Sequence, residues 1–346
     1  MIRSLAILTV RNEGSFLLEW LAHHRAVGFT DFLIFSNDCT DGTDLMLDRL
    51  AEMGWLTHVR NDGPHDEGPQ WSALKSADRH PLVQAADWVL FLDIDEFVNI
   101  HVGDRTLSAL LAALPEATAI TLSWRMFGNA GVVGITDAPV IETFTRAAPS
   151  LLHWPWRAQL FKTLFRNDGT YAKLGVHRPR APDPARLAAQ RWFDASGREL
   201  TNRWHTAGIF SPPGKELHGL VQLNHYALGS MAGYVVKIDR GRANRDASTP
   251  DMGYWVERNF CDTPDDTILR LDSSALRAAL RADPVLGPLH ETALRWRQMR
   301  FAALMTKEPI RALFGRLMMT PPTRVLTPEE ARLVWAHGAA TNGDAT

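Results

Sequence analysis

Cysteine is scarce: Cys39 and Cys261 are the only two in 346 residues. Far apart in sequence, they supply no disulfide framework and cannot alone build a zinc site, so a reducing compartment is the expectation. Excess charge is missing too. Thirty-seven Lys and Arg stand against 39 Asp and Glu, a formal charge of −2, which argues against general nucleic-acid binding by the chain as a whole. No apolar run approaches the ~20 residues that cross a bilayer. The run Leu5–Val10 is too short for the apolar stretch of a signal peptide and is cut off by Arg11-Asn12-Glu13, so a cytoplasmic chain, at most attached at the inner face of the membrane, is expected. Three signatures are also absent: no GxGxxG follows the first apolar run, no GxxxxGK[ST] loop occurs, and no GxSxG elbow is found. A dinucleotide phosphate turn, a P-loop and a serine-hydrolase triad are thereby disfavoured.

What remains is globular. Apolar residues make up 45% and charged residues 22%, which excludes disorder, collagen-like repeats and a coiled coil. The length suits one large α/β domain with an appendage, or two ordinary domains. Over the first ~125 residues short apolar runs alternate with helical periodicity. Leu5–Val10, Phe32–Ser36, Trp55–Val59, Trp88–Leu92 and Ala119–Trp124 read as strands. Phe16, Leu17, Trp20, Leu21 and His24 mark one helix; Leu45, Leu47, Leu50 and Met53 mark another, opened by Asp41-Gly42-Thr43. This alternation predicts right-handed crossovers and a mostly parallel sheet flanked by helices. Residues 125–220 are rich in Pro, Gly and Trp and read as loops; Leu220–Leu223 reads as a strand. Helices are expected at 230–243, 253–260, 273–282, 289–305, 308–319 and 327–338, with a frayed tail at Thr341–Thr346.

In a parallel sheet, ligands bind beyond the carboxyl ends of the strands. Three such ends are strongly polar: Arg11-Asn12-Glu13-Gly14, Asn37-Asp38-Cys39-Thr40-Asp41-Gly42, and Asp93-Ile94-Asp95-Glu96. They point to one shared crevice. Three carboxylates within four residues are costly without a cation, and a hard divalent ion, Mn²⁺ or Mg²⁺, is the natural partner, with substrate phosphates completing its shell. Arg11, Asn12 and Glu13 suit contacts to ribose and base; Asp38 suits a base N–H or ribose hydroxyl. Asp41 and Gly42 read as turn chemistry. His225, ending the late strand, suits metal ligation, and Lys237 and Arg240 beyond it suit a departing diphosphate. His177, Trp154 and Trp156 are candidates for acceptor contact, ordinary packing being the simpler reading of the tryptophans. Glu142, Asp183 and Glu216 lie in the loop-rich middle as carboxylates of the right type for a general base, and spacing distinguishes none of them.

Taken together, Thr9-Val10-Arg11-Asn12-Glu13, Phe35 to Thr43, Phe91-Leu92-Asp93-Ile94-Asp95-Glu96-Phe97 and Asn224-His225-Tyr226 resemble glycosyltransferases of the GT-A fold, family 2-like and related to the family 92 type. The resemblance spans roughly residues 3 to 245. It implies a GT-A type, Rossmann-like sheet over 1–245, with a nucleotide-binding half (1–125) and an acceptor and metal half (126–245), followed by a helical region (246–346). It implies that Asp93 contacts the nucleotide ribose and Asp95 the metal bridging the donor diphosphate. Glu13 and Asp38 would hold the nucleoside, and His225 would be the late metal ligand. His225-Tyr226, Ser230, Lys237 and Arg240-Gly241 are similar to the family's HY…S…K…RG segment. No Asp or Glu matches the family's catalytic base uniquely, which leaves inversion or retention open. The implied activity is metal-dependent hexosyl transfer from a nucleotide sugar, UDP by resemblance, to a glycan or lipid-linked acceptor in polysaccharide or cell-envelope assembly.

Two rivals stand beside it. Haloacid-dehalogenase-type phosphatases also carry DxD after a strand, but place Thr or Val where Phe97 stands and use the first strand rather than the fourth. A catalytically silent nucleotide-sugar or glycan-binding relative is the other. Finally, residues 295–324 carry seven Lys and Arg, from Arg295 to Arg324, against Glu308 alone, interleaved with Phe301, Leu304, Met305 and Phe314. A peripheral membrane contact is one reading; a solvated basic face on packed helices is the simpler one.

Overall fold

The computed structural model describes residues 2–212, 214–240 and 252–341. Strand and helix alternate from the start: β1 (Ser4–Val10), α1 (Gly14–Val27), β2 (Asp31–Ser36), α2 (Thr43–Glu52) and β3 (Thr57–Arg60). Then come α3 (Pro69–Ala77), α4 (Pro81–Ala85), β4 (Trp88–Leu92), β5 (Glu96–Ile100), α5 (Leu107–Ala113) and β6 (Ala119–Met126). The middle holds α6 (Val140–Thr143), β7 (Arg146–Ala147), β8 (Phe161–Arg166), β9 (Tyr171–Lys173) and β10 (Arg180–Pro182). It continues through β11 (Trp192–Asp194), β12 (Glu199–Leu200), α7 (Asn202–Thr206) and β13 (Val221–His225). Last come α8 (Met231–Arg240), α9 (Met252–Val256), β14 (Thr263–Pro264), α10 (Ser274–Arg281), α11 (Leu286–Leu304), α12 (Glu308–Met319) and α13 (Pro328–Thr341).

Ten strands form one sheet in the order β12-β11-β6-β8-β4-β1-β2-β3, with β13 paired to β6 and β5 paired to β13. Parallel pairings join β1 to β2 and β4, β2 to β3, and β6 to β11 and β13. Antiparallel pairings join β8 to β4 and β6, β5 to β13, and β11 to β12. The architecture is thus α/β, with a mostly parallel sheet flanked by helices.

The near-continuous apolar character of β1 follows from burial on both faces. Side chains alternate across the pleat. Ala6, Leu8 and Val10 enter one core layer with Leu17, Trp20 and Leu21 of α1, while Leu5 and Ile7 enter the other with Leu33, Phe35 and Phe91. A third cluster, including Tyr234, Trp255, Leu304, Leu313 and Leu317, ties α8 to the late helices. Helices α10 and α11 pack on α1, α11 also reaches α2 and α8, and α12 packs on α8. A close backbone crossing pins this region to the sheet: a Cβ on Gly128, just after β6, would collide with the Phe260 carbonyl and Cys261 Sγ. Next to it, Asn129 N donates to Asn259 Oδ1 at 2.9 Å.

Four of the five early strands fall where periodicity places them. β3 begins at Thr57 rather than Trp55, because Trp55 N still closes the helical end by donating to Leu50 O at 2.9 Å, with Gly54 at φ +74 between them. Within the stretch expected to be loops, β8 is a central strand inserted antiparallel between β4 and β6. Its sequence, Phe161-Lys162-Thr163-Leu164-Phe165-Arg166, hides this because a lysine occupies a buried position. Helix α8 ends its described span at Arg240; the rest of the expected 230–243 helix, Gly241 of the family segment, the boundary at 245/246 and the tail 342–346 lie outside the described residues.

Candidate active site

Parallel register brings three strand ends to one edge of the sheet: Val10 lies beside Ser36, and Leu8 beside Leu92. The loops that leave them are fastened to one another. Asn12 and Asp38 both adopt left-handed backbone, φ 54 and 45, conformations that Asn and Asp tolerate better than most residues. Asn12 is buried, and its Oδ1 accepts from Thr40 N at 2.7 Å. Asp41 accepts from Thr43 N at 2.9 Å and Gly14 N at 3.1 Å, and Glu13 N donates to Thr43 Oγ1 at 2.9 Å. Asn12 and Asp41 therefore set the entries of α1 and α2. The Glu13 carboxylate pairs with Arg240, and Arg297 lies 3.6 Å away.

The turn Asp93-Ile94-Asp95 joins β4 to β5, and β5 pairs antiparallel with β13 so that Glu96 lies opposite His225. Tyr226 N donates to the Asp95 carbonyl at 2.8 Å. This pairing delivers His225 Nε2 to 3.8 Å from Asp95 Oδ1, while Lys237 Nζ donates to Asp95 Oδ2 at 2.6 Å. Burial opposes ionisation of Asp95, but the charge and hydrogen bond of Lys237 lead the groups that outweigh it and hold its carboxyl well below the usual carboxylate range. Burial lowers His225 to about 3, so its ring is neutral near pH 7 and a lone pair is available. The ring lies against Trp124, centroids 4.2 Å apart.

A second cation underlies the motif. Lys162 has no exposed side-chain surface, and its Nζ donates to Asp93 Oδ2 at 2.9 Å and lies 3.5 Å from Glu96 Oε2. Glu96 accepts from Asp93 N at 2.9 Å and from Trp124 Nε1 at 2.7 Å. Burial pushes the Glu96 carboxyl upward against the pull of Lys162. Gln70, from α3, donates to Asp93 Oδ1 at 3.3 Å. Both Asp93 oxygens are therefore fixed by groups far away in sequence.

These elements enclose a crevice of about 590 Å³. Of the residues singled out from sequence, Arg11, Glu13, Asp93, Asp95, His177, His225, Lys237 and Arg240 line it. Asn37 lines it where Asp38 was expected; Asp38 is exposed at the rim and accepts from Gly63 N at 3.4 Å. Trp154 and Trp156 line no part of the crevice; Trp156 packs on Phe210, with centroids 5.0 Å apart. The aromatic walls are Trp124, Tyr234 and Tyr254 instead, the two tyrosines stacked at 6.0 Å. Arg258, buried, places its guanidinium 3.7 Å over the Tyr254 ring and also lines the crevice. Burial lowers His177, whose Nδ1 contacts the Phe161 carbonyl at 3.0 Å and must donate there, which leaves Nε2 as an acceptor. None of the three carboxylates considered as a base lines the crevice. Glu142 faces Arg277 at 3.3 Å, Asp183 faces Arg186 at 3.6 Å, and Glu216 accepts from Ser150 at 2.9 Å. Sequence reasoning missed Lys162, Gln70, Trp124, Arg258 and Arg297. Only Trp124 carried a signal, as the last apolar residue of its strand run.

Asp95 and His225 offer one hard oxygen and one neutral nitrogen, and two bonds of about 2.1 Å span their separation. Among the described residues no cluster of three or more His, Cys, Asp or Glu forms a complete protein cage. The donor set fits an ion that takes the remainder of its shell from substrate.

The fold and site define an α/β protein with an acid- and base-lined crevice at the strand ends. The profile of glycosyltransferase family 92 matches residues 7–189, more than half of the chain, and the chain belongs to that family. A family 92 glycosyltransferase protein of Oryza sativa subsp. japonica is 26% identical over 153 residues, 41% of this chain and 24% of that protein. One of Ricinus communis is 29% identical over 99 residues, 27% of this chain and 16% of that protein. The chain thus matches about a quarter or less of these relatives' length. Among solved structures, S. aureus TarS aligns over 90% of this chain and 50% of its own, with 13% identity and a TM-score of 0.33. No helix among the described residues is long and apolar enough to cross a membrane.

Proposed function

We propose that the chain transfers a hexosyl group from a nucleotide sugar, with UDP as the nucleotide, to a hydroxyl of a glycan or lipid-linked acceptor. The observation that carries this reading is the meeting of Asp95 and a neutral His225 at 3.8 Å beside Lys237 and Arg240, in a crevice that also holds Asp93. Arg11, Glu13 and Asn37, at the β1 and β2 end, suit the nucleoside. Asp93, clamped by Lys162 and Gln70, suits the ribose hydroxyls as a fixed acceptor. Lys237, Arg240 and Arg258 suit the diphosphate, whose negative charge grows as the glycosidic bond breaks.

In the reaction the acceptor oxygen bonds to the anomeric carbon, the bond from that carbon to the diphosphate oxygen breaks with its electron pair leaving on UDP, and the acceptor hydroxyl proton is released. Asp95 and His225 would hold Mn²⁺ or Mg²⁺, which would supply further positive charge at the diphosphate. Lys237 is occupied by Asp95 in this structure, and an ion on Asp95 would leave its ammonium to phosphate oxygens. The decisive test is calorimetry of UDP and GDP, with and without Mn²⁺, on the wild type and Asp95→Asn. Tight, Mn²⁺-dependent UDP binding that collapses in the variant is expected; no binding of either nucleotide to folded protein overturns the reading.

For residues 295–324 we narrow the proposed membrane contact to one face. Arg297 is buried beside Glu13, and Arg300 pairs with Asp239 at 2.6 Å, so neither contributes to a free basic face. On α12, Leu313 and Leu317 turn inward while Arg311, Arg316, Met318 and Met319 are exposed. We keep this outer face as the proposed site of peripheral contact with an anionic membrane surface.

A further inference from the structure

Behind the Asp95–Lys237 pair lies a second cavity, about 560 Å³, that no sequence motif announces. It is enclosed by α1, the loop 132–144, the turn after β13, and helices α8, α10 and α11. Glu13, Ile94, Asp95 and Lys237 line both spaces and form the partition between them. Its size is that of a small-molecule site. Its wall is largely apolar, with Phe16, Ile94, Ile135, Phe144, Leu228 and Leu294 the main contributors.

Each lysine and arginine on this wall already faces a carboxylate. Asp137 pairs with Arg281 and His290, both at 2.7 Å. Arg297 faces Glu13, Lys237 faces Asp95, and Arg277 faces Glu142. Glu19 also lines the wall; it accepts from Val140 N at 2.9 Å and Ile141 N at 3.1 Å, and burial raises its carboxyl to about 7. Three polar atoms of lining residues, Ser15 Oγ, His290 Nδ1 and Arg297 Nε, have no protein partner and are themselves sealed behind the cavity wall. His290 and Arg297 are each 6% exposed, a depth at which unpaired polar atoms are rare and costly.

We infer that this second cavity is the acceptor chamber, and that it takes an uncharged, hydroxyl-bearing acceptor with an apolar portion, such as a sugar ring carrying an alkyl or aryl group. With its lysine and arginines already facing carboxylates and Glu19 beside them, the wall favours an uncharged acceptor over a phosphorylated or carboxylated one. The apolar walls take the aglycone. The inference rests on the glycosyl-transfer reading, since the shared partition is where an acceptor hydroxyl would meet a donor sugar held at Asp93 and Asp95.

The test uses octyl β-D-glucopyranoside below its micelle concentration, with glucose 6-phosphate as the charged comparator and UDP with Mn²⁺ as the control for the donor crevice. Binding is followed by calorimetry and ligand-observed NMR on the wild type, on Leu294→Trp, which narrows the chamber, and on Ala278→Trp, at an exposed position on its lining. Saturable octyl glucoside binding, weakened at least tenfold in both variants while UDP binding is retained, is the expected result. Equal binding in the wild type and both folded variants, or no saturable binding to the wild type, overturns the assignment while UDP binding preserves the glycosyl-transfer reading. Glucose 6-phosphate binding as tightly as octyl glucoside overturns the inferred neutrality. Loss of UDP binding by the wild type removes the reading on which the inference stands.

Discussion

Lys162 Nζ sits 2.9 Å from Asp93 Oδ2, with none of its side chain exposed to solvent. A β8 lysine thereby positions the first carboxylate of the strand-end motif. Replacing one member of a buried ion pair strands the other, at a cost of about 3–5 kcal/mol. Lys162→Met keeps most of the stem's volume, and we expect it to lower unfolding free energy by about 3 kcal/mol and to weaken UDP binding. Urea unfolding with parallel calorimetry checks this; a variant as stable as the wild type would show that Asp93 needs no buried cation.

The buried histidines set the pH dependence of stability. Burial lowers His23 and His218 to about 4 and His225 to about 3, and holds His24 well below its ordinary value. Unfolded histidine binds protons below about pH 6.5, so on acidification the unfolded chain gains protons that the folded chain refuses. Each such group removes up to about 1.4 kcal/mol per pH unit. Burial acts oppositely on Glu19, raised to about 7, and on Glu96, also raised, because these keep protons in the folded state that the unfolded chain gives up above about pH 4.5. The histidines outnumber the carboxyls, so stability should rise from pH 4.5 to about 6.5 and fall gently above it. Urea midpoints across pH 4.5–8 measure this; a midpoint that climbs on acidification contradicts it.

Lys237 is assigned to the diphosphate rather than to the nucleoside. Lys237→Met should therefore weaken UDP by about tenfold or more, the ~1.5–3 kcal/mol of a charge-assisted hydrogen bond, and leave uridine binding unchanged. Calorimetry with both ligands separates the two, and an equal loss for uridine would move Lys237 to the nucleoside.

Gly128 offers a purely steric prediction. The Phe260 carbonyl and Cys261 Sγ occupy the space a methyl group needs there, and backbone cannot step aside cheaply. Gly128→Ala should destabilise by about 2–4 kcal/mol, in the range of severe core lesions. Thermal unfolding tests it, with Gly134→Ala, where nothing lies within 4 Å, as the silent comparison.

The outer face of α12 makes a salt-dependent prediction. The protein should co-sediment with anionic vesicles at low salt, and Arg311→Glu with Arg316→Glu should abolish this. Absence of sedimentation by the wild type at low salt retires the membrane contact.

Much of the sheet's first half was legible because burial on both faces writes itself as continuous apolar runs, as in Leu5–Val10 and Trp88–Leu92. Asp93, Asp95 and His225 were legible because each directly follows or ends such a run. Lys162 was not, since a cation inside a strand looks like a solvent position until its two carboxylate partners are placed around it. Arg297 was misleading for a related reason: its neighbours in sequence are exposed, and only the packing of α11 on α1 turns it toward Glu13. Asp38 shows the reverse error, a well-placed carboxylate whose left-handed backbone sets it at the rim.

The pairing of β5 with β13 has a consequence for how the molecule comes into being. The carboxylate turn is synthesised early, but its imidazole partner arrives only with the last strand of the sheet, and Tyr226 N must seal the Asp95 carbonyl to fix that turn. More than a third of the chain must be added after Asp95 before His225 can face it. A chain cut short of β13 would lack His225, Lys237 and the Tyr226 seal together, so truncation should remove the whole constellation around Asp95 rather than part of it.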